Sequence, residues 1–124
     1  MIFVIDDDEI MAECIARVVK KETKIFSNAI AAIEALNDEV PELIFLDILL
    51  DGPDGFTFLN ELASYQDTAK IPIVIVTSLD VSNVDLSQYN VVGILSKDNM
   101  TPQEIKKYVD QIWHQNSCLC TAPH

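Results

Sequence analysis

The chain has 124 residues, 49% of them apolar, which is typical of one domain with a single hydrophobic core. Twenty Asp and Glu against eight Lys and Arg give a net charge of -12, which would repel nucleic acid, so no direct nucleic-acid partner is expected. The absence of a signal-peptide pattern and of any apolar run near the ~20 residues of a membrane helix predicts a cytoplasmic protein without a membrane partner.

Short apolar runs alternate with segments of helical periodicity, a pattern that predicts βα units and a parallel sheet, and therefore an α/β fold. All but the second of these runs are nearly all apolar, as expected of strands that are covered on both faces. The predicted strands are Ile2–Ile5, Thr23–Phe26, Leu43–Leu46, Ile73–Val76 and Val92–Ser96.

Four segments carry helix signals. Asp8 and Glu9 suit the beginning of a first helix with an apolar stripe, and Ser27 is the predicted cap of the second. The third helix is predicted from Phe56 to Tyr65, with residues 67–72 as its exit loop. The last begins at Thr101, in a Thr-Pro-Gln-Glu capping box.

Two segments lack a clear pattern. The stretch from Ser78 to Asn90 has too few apolar positions for a convincing helix, so the fourth helix of the alternation is expected to be short or irregular. Residues 116–124 are small, polar and unpatterned, which predicts a domain over residues 1–115 and a disordered tail over 116–124.

Acidic, hydroxyl and basic side chains follow four of the five predicted strands. Because the carboxyl ends of parallel strands meet at one edge of a sheet, these side chains are expected to converge. Each has an ordinary interpretation alone, as a helix cap, a turn residue or a solvated lysine. Their order and spacing make chance unlikely as the explanation. The residues are Asp6 and Asp7, then Asp47, then Thr77 and Ser78, then Lys97.

The convergent charges point to a bound cation and a bound anion. Two carboxylates about 4 Å apart repel by roughly 4 kcal/mol at an effective dielectric near 20. A hard dication removes this penalty, and Mg²⁺ fits better than Ca²⁺ because the cluster offers few side-chain oxygens. The ammonium of Lys97 is placed to neutralise a phosphoryl oxygen.

With these residues, the chain from Ile2 to about Gln115 resembles the receiver domain of two-component response regulators, in particular the single-domain, chemotaxis-type receivers. The resemblance rests on Phe3-Val4-Ile5-Asp6-Asp7-Asp8, Leu46-Asp47 with Asp54-Gly55 downstream, Val76-Thr77-Ser78, and Ser96-Lys97. It implies a doubly wound (βα)5 flavodoxin-like sandwich with parallel strand order 2-1-3-4-5.

The resemblance also implies a role for each site residue. Asp7 and Asp47 would bind Mg²⁺ directly, Asp6 would act mainly through water, and the backbone carbonyl of Leu49 would complete the protein ligands. Asp47 would be the phosphoacceptor for a sensor histidine kinase or phosphotransfer protein. Thr77 and Lys97 would contact the phosphoryl oxygens, and the amide of Ser78 would add a donor. The chain would then signal to a downstream protein through a changed surface.

Three positions depart from the family pattern. Asp98 stands where the family usually has proline, Asp51 where it often has proline, and Ile94 where it has a switch aromatic. Asp98 is expected to change the shape of the Lys97 loop. Ile94, together with the poorly patterned fourth helix, is expected to alter the usual output face. Self-association into a homodimer is left open.

Two other functions compete with phosphoacceptance. One is a receiver-like interaction module that works without phosphorylation. The other is a phosphatase with an aspartate nucleophile, which the apolar Leu49 disfavours because such enzymes place a second aspartate there. We expect no enzyme activity beyond the chain's own phosphorylation.

Overall fold

The computed structural model describes residues 1–48, 55–78, 81 and 84–120, and the side chains of these residues as far as Ile112. Five strands form one parallel sheet in the order β2-β1-β3-β4-β5, which confirms the predicted fold class. The strands are β1 Ile2–Ile5, β2 Thr23–Phe26, β3 Leu43–Leu46, β4 Ile73–Thr77 and β5 Val91–Ser96. Each observed strand agrees with its predicted bounds to within one residue.

Helices cover both faces of the sheet, which makes the three central strands continuous apolar runs. Their bounds are α1 Glu9–Val19, α2 Ala29–Ala35, α3 Gly55–Ala63, α4 Gln66–Ala69 and α5 Pro102–Cys120. The core has two layers. One lies between the sheet and α2 and α3, around Phe3, Ile44 and Phe58, and the other lies against α1 and α5, around Val4 and Phe45.

The beginning of α2 corrects the sequence prediction. Asn28, not Ser27, is the N-cap, since the Ala31 amide donates to Asn28 Oδ1 at 2.8 Å. The Asn28 backbone is extended, with φ -150° and ψ 162°, as an N-cap requires. Both residues carry acceptor oxygens of the capping type, so composition alone did not distinguish them.

The connection from α3 to β4 also differs from the prediction. Helix α3 ends at Ala63, two residues early, and the short helix α4 occupies part of the predicted exit loop over 67–72. The Thr68 hydroxyl stabilises this turn by donating to the carbonyl of Leu62 at 2.6 Å. Four residues are too few to show helical periodicity in a sequence.

Between β4 and β5, the described residues 81 and 84–90 form no helix, in agreement with the irregular fourth helix that was predicted. Side chains anchor this connection instead. The Tyr89 hydroxyl donates to Asn60 Oδ1 on α3 at 2.5 Å, and Asn90 Nδ2 donates to the Lys70 carbonyl at 2.8 Å. On the adjoining face of β5, Ile94 is left 46% exposed.

Helix α5 begins with the predicted capping box, in which the Glu104 amide donates to Thr101 Oγ1 and the Thr101 amide donates to Glu104 Oε1. The helix continues to Cys120, so its backbone includes residues 116–120 that were predicted to fray. Residues 121–124 lie outside the described residues, and the division at 115 stays a prediction. Over the described part of the chain, no helix is long and apolar enough to cross a membrane.

Candidate functional site

Backbone hydrogen bonds between neighbouring strands continue one residue past the ends of the strands, at the residues whose side chains were predicted to form the site. The Asp6 amide donates to the Phe26 carbonyl at 3.0 Å, and the Asp47 amide donates to the Ile5 carbonyl at 2.9 Å. The Lys97 amide donates to the Thr77 carbonyl at 3.0 Å. Asp6, Asp47 and Lys97 are therefore fixed at one edge of the sheet, where the strand ends of an open α/β sheet form a crevice.

Three carboxylates meet in this crevice. One oxygen from each of Asp6, Asp7 and Asp47 lies within 4.8 Å of the others. Asp6 and Asp47 are nearly sealed from solvent, with 2% and 5% of their surface exposed, whereas Asp7 is exposed. The cluster therefore has two buried oxygen donors and one that faces water.

Lys97 places a single ammonium against both buried carboxylates. Its Nζ atom lies 2.9 Å from Asp47 Oδ2, and 3.1 and 3.0 Å from Oδ1 and Oδ2 of Asp6. The contact with Asp6 Oδ1 is a hydrogen bond, whereas Oδ2 is at ion-pair distance only. One positive charge thus faces two buried negative ones, and the three carboxylates and one ammonium of Asp6, Asp7, Asp47 and Lys97 sum to a formal charge of -2.

The next acidic residue, Asp8, has a different task. Its Oδ1 accepts from the amides of Ile10 and Met11 at 3.1 and 3.2 Å, so it caps α1 as the sequence predicted. Its own amide donates to Asp6 Oδ1 at 2.9 Å and orients that carboxylate. Sequence reasoning missed this contact, although an aspartate accepting from the amide two residues on is a known turn signal.

Burial and contacts shift the protonation of two groups in the site. Burial raises the pKa of Asp6, and this outweighs the hydrogen bonds from the Asp8 amide and Lys97, which favour the charged form. Burial lowers the pKa of Lys97, but its hydrogen bonds to Asp47 and Asp6 more than compensate, and the net pKa lies above the ordinary value. Lys97 is therefore charged, whereas the burial of Asp6 favours its protonated form.

The residues present fit a hard divalent cation. Carboxylate oxygens are the donors that Mg²⁺ and Ca²⁺ prefer, and a dication would balance the formal charge of -2 on the four-residue cluster. Asp6 Oδ2 is buried and accepts no hydrogen bond from the described residues. This oxygen is nevertheless paired by charge with the Lys97 ammonium at 3.0 Å, and its remaining lone pairs are available to a metal ion or its bound water.

The remaining predicted site residues lie at the same edge or outside the described part. Thr77 ends β4 and is 1% exposed, and it pairs in the sheet with Ser96, which precedes Lys97. Ser78 follows Thr77 directly and is exposed. Leu49, predicted to contribute a carbonyl ligand, lies outside the described residues.

Comparisons with known proteins agree on one family. The sequence profile of the response regulator receiver domain matches residues 2–110. Response regulator PleD of Caulobacter vibrioides is 32% identical over 82 residues, which cover 64% of this chain but only 18% of PleD. The chain thus matches a small part of the longer relative.

Solved structures show the same fold. The receiver domain of NtrX from Brucella abortus has a TM-score of 0.78 and 24% identity, over 90% of this chain and 97% of that one. The receiver domain of the sensor histidine kinase PA1611 from Pseudomonas aeruginosa, solved with a magnesium ion in its active site cleft, has a TM-score of 0.75 and 17% identity, over 89% and 93%. With a family match over nearly the whole chain and this shared fold, the protein belongs to the response regulator receiver domain family.

Proposed function

We propose that this receiver domain accepts a phosphoryl group on Asp47, with Mg²⁺ held by the adjacent carboxylates. The observation that carries the proposal is the convergence of three carboxylate oxygens within 4.8 Å, with the Lys97 ammonium 2.9 Å from Asp47. A cluster of this kind supplies a nucleophile, a cation site and a fixed positive charge together.

Asp6, Asp7 and Asp47 are the residues proposed to hold the metal, and the carbonyl of Leu49 stays a prediction from the family resemblance. The magnesium ion in the PA1611 receiver domain supports the choice of metal. When bound, Mg²⁺ supplies positive charge that offsets the negative charge developing on the transferred phosphoryl oxygens. Asp7, being exposed, leaves room for water among the ligands.

In the proposed transfer, a carboxylate oxygen of Asp47 attacks the phosphorus of a phosphohistidine. The new O–P bond forms as the P–N bond breaks, and the imidazole leaves with the electron pair of that bond. Lys97 and the Thr77 hydroxyl stabilise the phosphoryl oxygens on the newly formed aspartyl phosphate. The Ser78 amide, which follows Thr77 in the chain, adds a further donor.

The partners follow from this chemistry. A sensor histidine kinase or phosphotransfer protein supplies the phosphoryl group, and a downstream protein reads the changed surface. The charge of -12 argues against direct binding of nucleic acid. The proposed role includes no catalysis beyond the chain's own phosphorylation, and it places the protein in the cytoplasm. The test below also shows whether the protein forms a homodimer.

The test is phosphorylation by acetyl phosphate with Mg²⁺, followed by intact mass. Wild type should gain one phosphoryl group, Asp47→Asn should gain none, and Asp110→Asn, which changes an exposed aspartate on α5, should react as wild type does. Size-exclusion chromatography of the same samples reports self-association. Equal labelling of Asp47→Asn and wild type would contradict the assignment of Asp47.

The same experiment separates the competing functions. A wild-type protein that binds Mg²⁺ but gains no phosphoryl group would instead be an interaction module that works without phosphorylation. A protein that releases inorganic phosphate continuously from acetyl phosphate, with many turnovers for each chain, would be a phosphatase.

A further inference from the structure

Gly55, the first residue of α3, packs directly on the backbone that carries Asp47. Its amide donates to the Ile48 carbonyl at 2.8 Å. A Cβ atom at position 55 would lie 2.6 Å from Ile48 Cα and 2.8 Å from the carbonyl oxygen of Asp47. Both of these are backbone atoms, which cannot rotate out of the way as a side chain does.

The same backbone is held from its other side by the sheet. The Asp47 amide donates to the Ile5 carbonyl at 2.9 Å, and Ile48 is almost fully buried at 1% exposure. The Asp47–Ile48 segment is therefore enclosed between β1 and the beginning of α3. A methyl group at position 55 requires either this segment or α3 to shift.

A small shift matters at this place. Magnesium demands near-ideal octahedral geometry with short bonds, and a productive site tolerates a displacement of only about 0.5 Å. Asp6 and Asp7 follow β1, whereas Asp47 follows β3, so a movement of Asp47 alone changes the spacing between the metal ligands. The geometry of the cation site thus depends on how closely α3 approaches β3.

We propose that Gly55 is a positioning residue for the phosphoacceptor site: the lack of a side chain lets α3 close onto the Asp47–Ile48 backbone and sets the position of the Asp47 carboxylate. The inference rests on the proposed function, because it concerns Mg²⁺ binding at Asp47. Gly55 touches none of the reacting atoms and acts only through the backbone of Asp47 and Ile48.

The chain provides a matched control in Gly93 of β5. A Cβ atom there would lie 2.2 Å from the Tyr108 ring and hydroxyl on α5, an even closer approach than at Gly55. The obstructing atoms, however, are the end of a side chain on the opposite layer of the core. Gly93→Ala therefore introduces a comparable clash without touching the backbone of Asp47.

The test measures Mg²⁺ affinity by isothermal titration calorimetry on wild type, Gly55→Ala and Gly93→Ala, each shown to be folded by circular dichroism. Gly55→Ala should bind Mg²⁺ at least about tenfold more weakly, the lower end of the loss seen when metal ligands lose their support. Gly93→Ala should stay within about twofold of wild type, even if urea denaturation shows it to be the less stable variant.

A second measurement needs no variant. In wild type, hydrogen exchange of the Gly55 amide should slow by about the factor 1 + [Mg²⁺]/Kd, roughly tenfold at ten times Kd, if closing of α3 is linked to metal binding. The Ser64 amide, which donates to Glu61 at the far end of α3, serves as the control and should be unaffected.

The outcomes are distinguishable. Wild type that fails to bind Mg²⁺ contradicts the proposed function itself. Wild type and Gly55→Ala that bind Mg²⁺ equally overturn the positioning role and leave the proposed function intact. If Gly55→Ala does not fold, exchange at Gly55 decides the question, because an exchange rate that is unchanged by Mg²⁺ also overturns the positioning role.

Discussion

The ammonium of Lys97 lies 2.9 Å from Oδ2 of Asp47, a residue 50 positions earlier in the chain, and it reaches Asp6 as well. The Lys97 ammonium therefore attracts the same two carboxylates that a bound cation would attract. Under the proposed function, Lys97 and a bound Mg²⁺ would compensate the same negative charge, so each would affect how strongly the site holds the other.

Replacing Lys97 by methionine should have opposite effects on stability and on metal binding. Without metal, two nearly buried carboxylates lose their cation, and the free energy of unfolding should fall by about 2 kcal/mol, less than for a fully buried pair because 14% of the Lys97 side chain is exposed. Mg²⁺ affinity should rise, since the repelling ammonium is gone. Urea denaturation in EDTA and calorimetry measure the two effects.

Lys24→Met is the control for that substitution. Lys24 pairs with Glu39 at 2.6 Å, but the two side chains are 47% and 39% exposed, so its loss should change stability little and leave Mg²⁺ affinity unchanged. A Lys97→Met protein whose Mg²⁺ affinity equals that of wild type would contradict the competition between lysine and metal.

The raised pKa of Asp6 predicts a specific pH dependence in the absence of metal. Between the ordinary value of 3.8 and the raised value, the folded protein keeps a proton on Asp6 that the unfolded chain releases. This residue therefore makes the fold less stable as pH rises through that window. Asp6→Asn lacks the titration, so its stability relative to wild type should increase with pH over the window and then level off.

Unfolding of the two proteins by urea, in EDTA and over a series of pH values, measures this difference. With saturating Mg²⁺ the trend should reverse, because the metal binds the carboxylate, and wild type should then gain stability relative to Asp6→Asn as pH rises. Parallel curves in EDTA would show that Asp6 does not titrate abnormally.

The cap of α2 can be tested by two neighbouring substitutions. Asn28→Ala removes the acceptor of the Ala31 amide and should lower the free energy of unfolding by about 1 kcal/mol. Ser27→Ala should have little effect, because Ser27 precedes the cap. Denaturation midpoints compare the two, and a larger loss for Ser27→Ala would restore the cap first predicted from the sequence.

Lys20, the C-cap that follows α1, is a second site where backbone conformation predicts stability. It has a φ of 57° and is the one non-glycine residue with positive φ among the described residues. Lys20→Gly should therefore stabilise the fold by about 1 kcal/mol, because glycine adopts this conformation without a Cβ clash. Arg17→Gly, an exposed position inside α1, should destabilise it by about the same amount. If the two variants change the thermal unfolding midpoint in the same direction, this interpretation of Lys20 as a left-handed C-cap is contradicted.

The strands were predictable because burial on both faces leaves a local record in the sequence. Runs such as Leu43–Leu46 are apolar at each position, and their bounds follow directly. The acidic and basic residues at their ends were equally visible. Their convergence followed from one general property of parallel sheets, that the carboxyl ends of the strands lie at the same edge.

What the sequence did not show depends on distances between remote segments. The bridge from Lys97 to Asp6 joins residues 91 positions apart. The close approach of Gly55 to Ile48 depends on how α3 settles on the sheet, and a glycine after a turn motif does not reveal it. Helix α4, at four residues, is too short for periodicity, and the choice between Ser27 and Asn28 turned on the direction of a single backbone segment.

The strand pairing that positions the site residues also affects newly synthesised copies of the protein. Asp6 follows β1, Asp47 follows β3 and Lys97 follows β5, so a fragment that ends before Lys97 cannot hold the complete cluster. Under the proposed function, a nascent or partly denatured copy cannot take up a phosphoryl group. Signalling is then restricted to molecules in which the cluster is assembled, and the fraction of molecules that accept a phosphoryl group follows the fraction that is folded.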